Sequence, residues 1–137
     1  MKILLDTNVI LDHILSREPY AESVGKIFNM IGREEIEAAV TVNSITDIYF
    51  IVSKRLGDTS ARKALRDLFN ILVIISVDGD DCISALNLSM SDFEDAVVVV
   101  CADKDDIDYI VSNDKLFLQV DSALAQVISP DNFLSLA

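Results

Sequence analysis

Residues Lys2-Ile3-Leu4-Leu5-Asp6-Thr7-Asn8-Val9-Ile10-Leu11-Asp12 change period part-way along. Ile3 to Leu5 is a short apolar run, as expected of a strand buried on both faces. Asp6 ends it, and Val9, Ile10, His13 and Ile14 then recur at helical spacing. A strand feeding straight into a helix puts Asp6 at the carboxyl edge of a sheet. That is the edge at which open α/β sheets bind ligands. The question for the remaining residues is which other acids reach it.

The pattern repeats along the chain. Pro19 suits the first turn of a helix over 19–32, with Ala21, Val24, Ile27, Phe28 and Ile31 on its apolar stripe. Residues 37–42 form a second strand. Asn43 and Ser44 are competent caps for a helix over 43–56 that stops at Gly57 and carries Asp47 about one turn in. Asp58-Thr59-Ser60 caps a helix over 61–70. A third strand covers 71–77, and Asp78 to Asp81 opens a helix near 80–89. Val97 to Val100 has strand propensity, but the acidic start Asp92-Phe93-Glu94-Asp95 is that of a helix amino terminus, so 92–103 is expected to be helical. On that helix Asp92 and Asp95 share a face and Glu94 points elsewhere. Residues 108–112 form a fourth strand running into Asn113-Asp114. Residues 125–128 form a short fifth, and Ser129 caps a last helix with Pro130 at its first position. Strands alternating with helices predict an α/β fold, a three-layer α/β/α sandwich around a parallel sheet of about five strands. At 137 residues, 1–137 is expected to be a single domain.

Composition narrows the function classes. No apolar run reaches the roughly 18–20 residues that span a bilayer, and the amino terminus meets Asp6 too early for a secretory signal. A cytoplasmic protein with no membrane association is expected. Cys82 and Cys101 lack metal-ligand spacing and read as reduced thiols. His13 is the only histidine, which argues against zinc sites and His-based triads. The formal charge of −12 argues against a generic nucleic-acid coat. It is compatible with an enzyme that holds phosphate through a divalent cation bound by clustered carboxylates.

Asp6, Asp47 and Asp114 each follow a strand directly or within a helical turn. Asp95 joins them if its helix begins near the same edge. Such acids repel and raise one another's pKa unless a hard cation such as Mg²⁺ or Mn²⁺ offsets the charge. The alternative is that these are solvated carboxylates or helix caps, since 23 acids put some at strand ends by chance. Lys54, seven residues beyond Asp47, with Arg62 and Arg66 on the next helix, could form a local basic rim beside the acid pocket. Ordinary helix salt bridges account for them equally.

Ile3 to Asp12, Asp92-Phe93-Glu94-Asp95-Ala96 and Tyr109-Ile110-Val111-Ser112-Asn113-Asp114, in this order and spacing and with Asn43 to Val52 between them, closely resemble the PIN domain family. The resemblance covers essentially the whole chain and is strongest to the VapC-like toxins of toxin–antitoxin pairs. It implies a metal-dependent ribonuclease in which Asp6, Asp95 and Asp114 hold Mg²⁺ or Mn²⁺. Asp47 stands where many members carry Glu and some carry Asn or Asp. Ser112 matches the Thr or Ser near the metal, Asn8 a group that orders the first acid, and Asp92 an alternative or neighbouring ligand. The resemblance also implies an antitoxin that occupies the acid pocket, and a homodimer, for which the apolar residues 45–52 are a candidate contact. Two rivals stand beside it. One is a PIN fold without catalysis that serves as an interaction module. The other is a phosphoacceptor receiver domain using Asp78, disfavoured because Asp6-Thr7 is not an acid pair and no Lys follows the last strand.

Overall fold

In a computed structural model describing residues 1–137, the first strand, β1 (Lys2–Leu5), is the middle of a five-stranded sheet. The others are β2 (Glu37–Thr41), β3 (Val73–Ile75), β4 (Tyr109–Val111) and β5 (Val127–Ile128), in the spatial order β3-β2-β1-β4-β5. All four pairings are parallel, with Leu4 opposite both Ala39 and Ile110 and Leu5 opposite Val111. Connections from β1 run toward β3, and the chain then returns to lay β4 on the other side of β1. The order therefore reverses between β1 and β4, and such a switch point opens a crevice at the carboxyl ends of the strands.

Strand alternation divides the core into two layers. Ile3, Leu5, Ala38, Val40 and Val111 face one apolar cluster, while Leu4, Ala39 and Ile110 face the other. The first is covered by α1 (Thr7–Ile14), α2 (Ala21–Gly32), α3 (Val42–Leu56), α4 (Asp58–Phe69) and α8 (Pro130–Leu136). The second is covered by α5 (Gly79–Leu86), α6 (Phe93–Lys104) and α7 (Lys115–Leu118). This is the expected three-layer α/β/α arrangement. The Val97–Val100 stretch is helical, and Val97, Val98 and Val99 are buried. A helix apolar on all sides is one buried on all sides, so burial outweighs β propensity there. No helix is long and apolar enough to cross a membrane.

Several boundaries differ from expectation. Residues 18–20 form a turn that leaves α2 to start at Ala21. Thr41 precedes α3, which places Asn43 and Ser44 inside its first turn; there Ser44 exchanges hydroxyl contacts with Thr7 and Thr41 instead of capping. Gly57, at φ 89° and ψ 167°, is the only residue between α3 and α4. That backbone is essentially confined to glycine, and it lets α4 begin at Asp58. β3 is shorter than expected because Ile71 and Leu72 still bond back to Leu68 at the end of α4. Asp78 and Asp81 form a reciprocal capping box on α5. The short α7 was not expected. Cys82 and Cys101 are free thiols, as expected, and His13 stacks on Phe28 at 3.9 Å. The 45–52 segment is not a free apolar face. Ile48 and Val52 are core, Ile45, Tyr49 and Ile51 pack against it, and only Phe50 stands out at 57% exposed.

Candidate active site

The switch-point crevice is acidic. Asp6 leaves the end of β1, its N–H bonded to Val111 O at 3.0 Å, so the backbone of β4 fixes where the side chain starts. Its Oδ1 accepts from Thr7 N at 2.9 Å and caps α1; its Oδ2 accepts from Ser112 Oγ at 2.7 Å. The fully buried Ser112 hydroxyl also accepts from Asp114 N at 3.0 Å. One hydroxyl thus couples the acid after β1 to the acid after β4. Asp114 Oδ1 caps α7 through Leu116 N at 2.9 Å. Asp92 caps α6, its Oδ1 accepting from Asp95 N at 3.0 Å. Asp92 and Asp114 each keep a second oxygen free of protein donors, whereas both oxygens of Asp6 are held.

Asp6, Asp47, Asp92, Glu94, Asp95 and Asp114 all line one cavity of about 240 Å³. The amino end of α6 does lie at the crevice, which brings Asp95 to the acids that follow β1 and β4. The remaining wall is made by the polar Thr7, Asn8, Thr41, Asn43 and Ser44, with the apolar Phe50 and Ile51 from α3 and Val97 and Val98 from α6. Glu94 was expected to point away; it borders the cavity because the first turn of α6 stands at the mouth.

The electrostatics match the crowding. Burial, then repulsion from Asp92, Asp6, Asp114 and Glu94, pushes the Asp95 carboxyl up to about 7. No protein group donates to it. Burial also raises Asp6, against the opposing hydrogen bonds from Ser112 and Thr7 and with added repulsion from Asp114 and Asp92.

The metal expectation meets this geometry in part. No three of the acidic side chains converge closely enough to form a ready-made ligand group, so Asp6, Asp95 and Asp114 share a cavity without making a closed cage. The chemistry of the donor set still fits a hard divalent cation. Every polar group in the cavity wall is an oxygen donor or amide, with no His or Cys, and burial with added repulsion from the neighbouring acids holds Asp95 at about 7.

Other expected roles are corrected by contact. Asp6 is ordered by Ser112 and Thr7. The Asn8 side chain makes no bond to it, although Asn8 lines the cavity and its carbonyl accepts from Arg17 at 3.2 Å. Lys54, Arg62 and Arg66 are absent from the cavity wall. Arg62 is turned to Asp58 at 2.9 Å and lies over Tyr49; Arg66 has no carboxylate partner; Lys54 sits 4.3 Å from the centroid of the Phe50 ring. Three contributors were not anticipated. Ser44 links Thr7 to Thr41. Phe50 forms part of the wall, which its place one turn beyond Asp47 could have signalled. Asp12, 2% exposed, pairs with Arg17 Nε at 2.8 Å and accepts from Asn113, the residue before Asp114.

Residues 2–116 match the family model described as PIN domain. The chain belongs to the PIN domain family. Among PIN relatives, it is 26% identical over 137 residues to Ribonuclease VapC1 of Aquifex aeolicus (strain VF5), covering 96% of this chain and 92% of that protein. Two solved structures share the PIN fold at lower identity. VapBC2 from Rickettsia felis, bound to a DNA fragment from its promoter, aligns with a TM-score of 0.69 at 14% identity over 94% of this chain and 98% of its own. Mycobacterium tuberculosis VapC20, a Sarcin-Ricin loop cleaving toxin, aligns with a TM-score of 0.67 at 13% identity over 84% and 92%.

Proposed function

We propose that this PIN domain is a metal-dependent ribonuclease and the toxin of a toxin–antitoxin pair. One observation carries the reading: acids from β1, α3, α6 and β4 line a single cavity at the switch point of the sheet. The likeness to Ribonuclease VapC1 supports the choice of RNA as substrate. The fold shared with VapBC structures supports an antitoxin as partner, and a homodimer is proposed on the same family grounds.

Asp6, Asp95 and Asp114 would hold Mg²⁺ or Mn²⁺, with Asp47 or Asp92 completing the set. Such an ion supplies Lewis acidity and positive charge against a phosphodiester's negative charge. The protein's own groups do the positioning. Ser112 and Thr7 hold both oxygens of Asp6, and Asp114 is fixed by its cap on α7. Asp47 lines the cavity, exposed and without a protein partner, and would accept a hydrogen bond from the attacking water. In-line attack forms a new P–O bond and releases the 3′ oxygen, leaving a 5′ phosphate and a 3′ hydroxyl. An antitoxin that covers the cavity with an Arg or Lys would place positive charge among the same carboxylates.

Incubating the protein with RNA in Mn²⁺ or Mg²⁺ tests this. Cleavage is expected to be abolished by EDTA and by Asp6→Asn, with the variant's far-ultraviolet circular dichroism unchanged. A folded wild type that cuts no RNA with either ion would leave the interaction-module reading in its place.

A further inference from the structure

We infer that Phe50 and Lys54 form a base-stacking subsite that seats an unpaired nucleotide beside the acid cavity; this rests on the ribonuclease reading above. Asn43, Asp47, Phe50 and Lys54 recur at spacings of four, three and four on α3, so they share one face. The first three line the cavity and Lys54 lies just outside it. The stripe therefore leads from the carboxylates outward over an aromatic ring to a cation.

Phe50 takes no part in the core. It is 57% exposed in a wall that is otherwise mostly polar, and the core of α3 is completed by Ile48 and Val52. A rise of about 4.5 Å along the helix separates it from Asp47. A base stacked on the ring would thus place its own backbone next to the acids. Lys54 Nζ lies over one face of the ring, 4.3 Å from its centroid, and forms no ion pair with any carboxylate; a base stacks on the ring in its place or on the opposite face, and no acid competes with a phosphate for the ammonium. The surroundings reinforce it. Residues 49–70 carry five cations against two aspartates, a local balance of +3 in a chain of −12. Phosphates that the acids repel are drawn to this side. Aromatic stacking tolerates any base but requires one that is unpaired, so the subsite selects single-stranded RNA over duplex.

The test measures binding of fluorescein-labelled oligoadenylate by anisotropy in an Asp6→Asn background, where no cleavage intervenes. Phe50→Ala is expected to weaken binding about tenfold, Phe50→Trp to restore it, and Lys54→Gln to weaken it and flatten its salt dependence. Duplex RNA is expected to bind equally to Asp6→Asn alone and with Phe50→Ala. An affinity for oligoadenylate that Phe50→Ala leaves unchanged overturns the subsite. So does an equal loss on duplex, and so does a change confined to self-association, which would mark Phe50 as a protein contact. The two readings fail separately. A wild type that cuts RNA while Phe50→Ala binds normally sinks the subsite alone. Stacking-dependent binding without any cleavage sinks the nuclease alone.

Discussion

Ser112 Oγ donates to Asp6 Oδ2 at 2.7 Å while accepting from Asp114 N at 3.0 Å, so one buried hydroxyl spans the switch point between β1 and β4. Ser112→Ala removes a bond to a carboxylate and leaves the Asp114 N–H without a partner. A destabilisation of about 2 kcal/mol is expected, read as a shift in the urea midpoint at constant slope. Metal affinity is expected to fall about tenfold or more, measured by Mn²⁺ titration calorimetry. An unchanged Mn²⁺ affinity would show that the hydroxyl serves the fold alone.

Asp95 makes stability depend on pH. A carboxyl whose folded-state pKa lies above its unfolded value binds more protons when folded, between the two values. Its contribution is therefore whole below the ordinary 3.8 and is lost as pH rises toward about 7. Without added metal, Asp95→Asn is expected to raise the melting temperature at about pH 8 and to leave it nearly unchanged at about pH 4. His13, lowered by burial, works in the opposite sense, but it is common to both proteins and cancels in the difference. A gain of equal size at both pH values would contradict the crowding described for Asp95.

The Asp12–Arg17 pair should behave as a buried one, because the Asp12 side chain is only 3% exposed. Arg17→Met leaves Asp12 with Asn113 as its remaining side-chain donor, and a cost of about 3 kcal/mol is expected in chemical denaturation. Combining it with Asp12→Leu is expected to recover most of that loss, since the larger penalty is the stranded charge.

Gly57 and Gly25 should respond to alanine with opposite signs. At φ 89° and ψ 167°, Gly57→Ala is expected to cost about 2 kcal/mol by thermal denaturation. Gly25 lies inside α2 with ordinary φ and open space around an added Cβ, so Gly25→Ala is expected to stabilise by about 0.5 kcal/mol.

The architecture was legible because its signals are local and redundant. Ile3 to Leu5 and residues 109–111 are apolar runs that end on polar residues, and Asp92 with Asp95 outweighs four successive valines in setting α6. The acids were legible for the same reason, since each is defined by the end of its own strand or helix. What escaped depends on distant partners or on an unusual local backbone. Ser44 looks like a cap until Thr7 is beside it. Asn8 looks like the group that orders Asp6 until Ser112 arrives from 106 residues away. Arg62 looks like a free cation until α4 starts early enough for Asp58 to reach it, and that early start depends on the conformation of Gly57.

The reach of that Ser112 bond carries a consequence for biosynthesis. Asp6 is translated 106 residues before Ser112, so the crevice stays open until β4 has left the ribosome and settled against β1. A growing polypeptide that has not yet reached β4 lacks the assembled pocket. A translation product that stalls before β4 lacks Asp114 and the Ser112 bond, and with them one wall of the pocket.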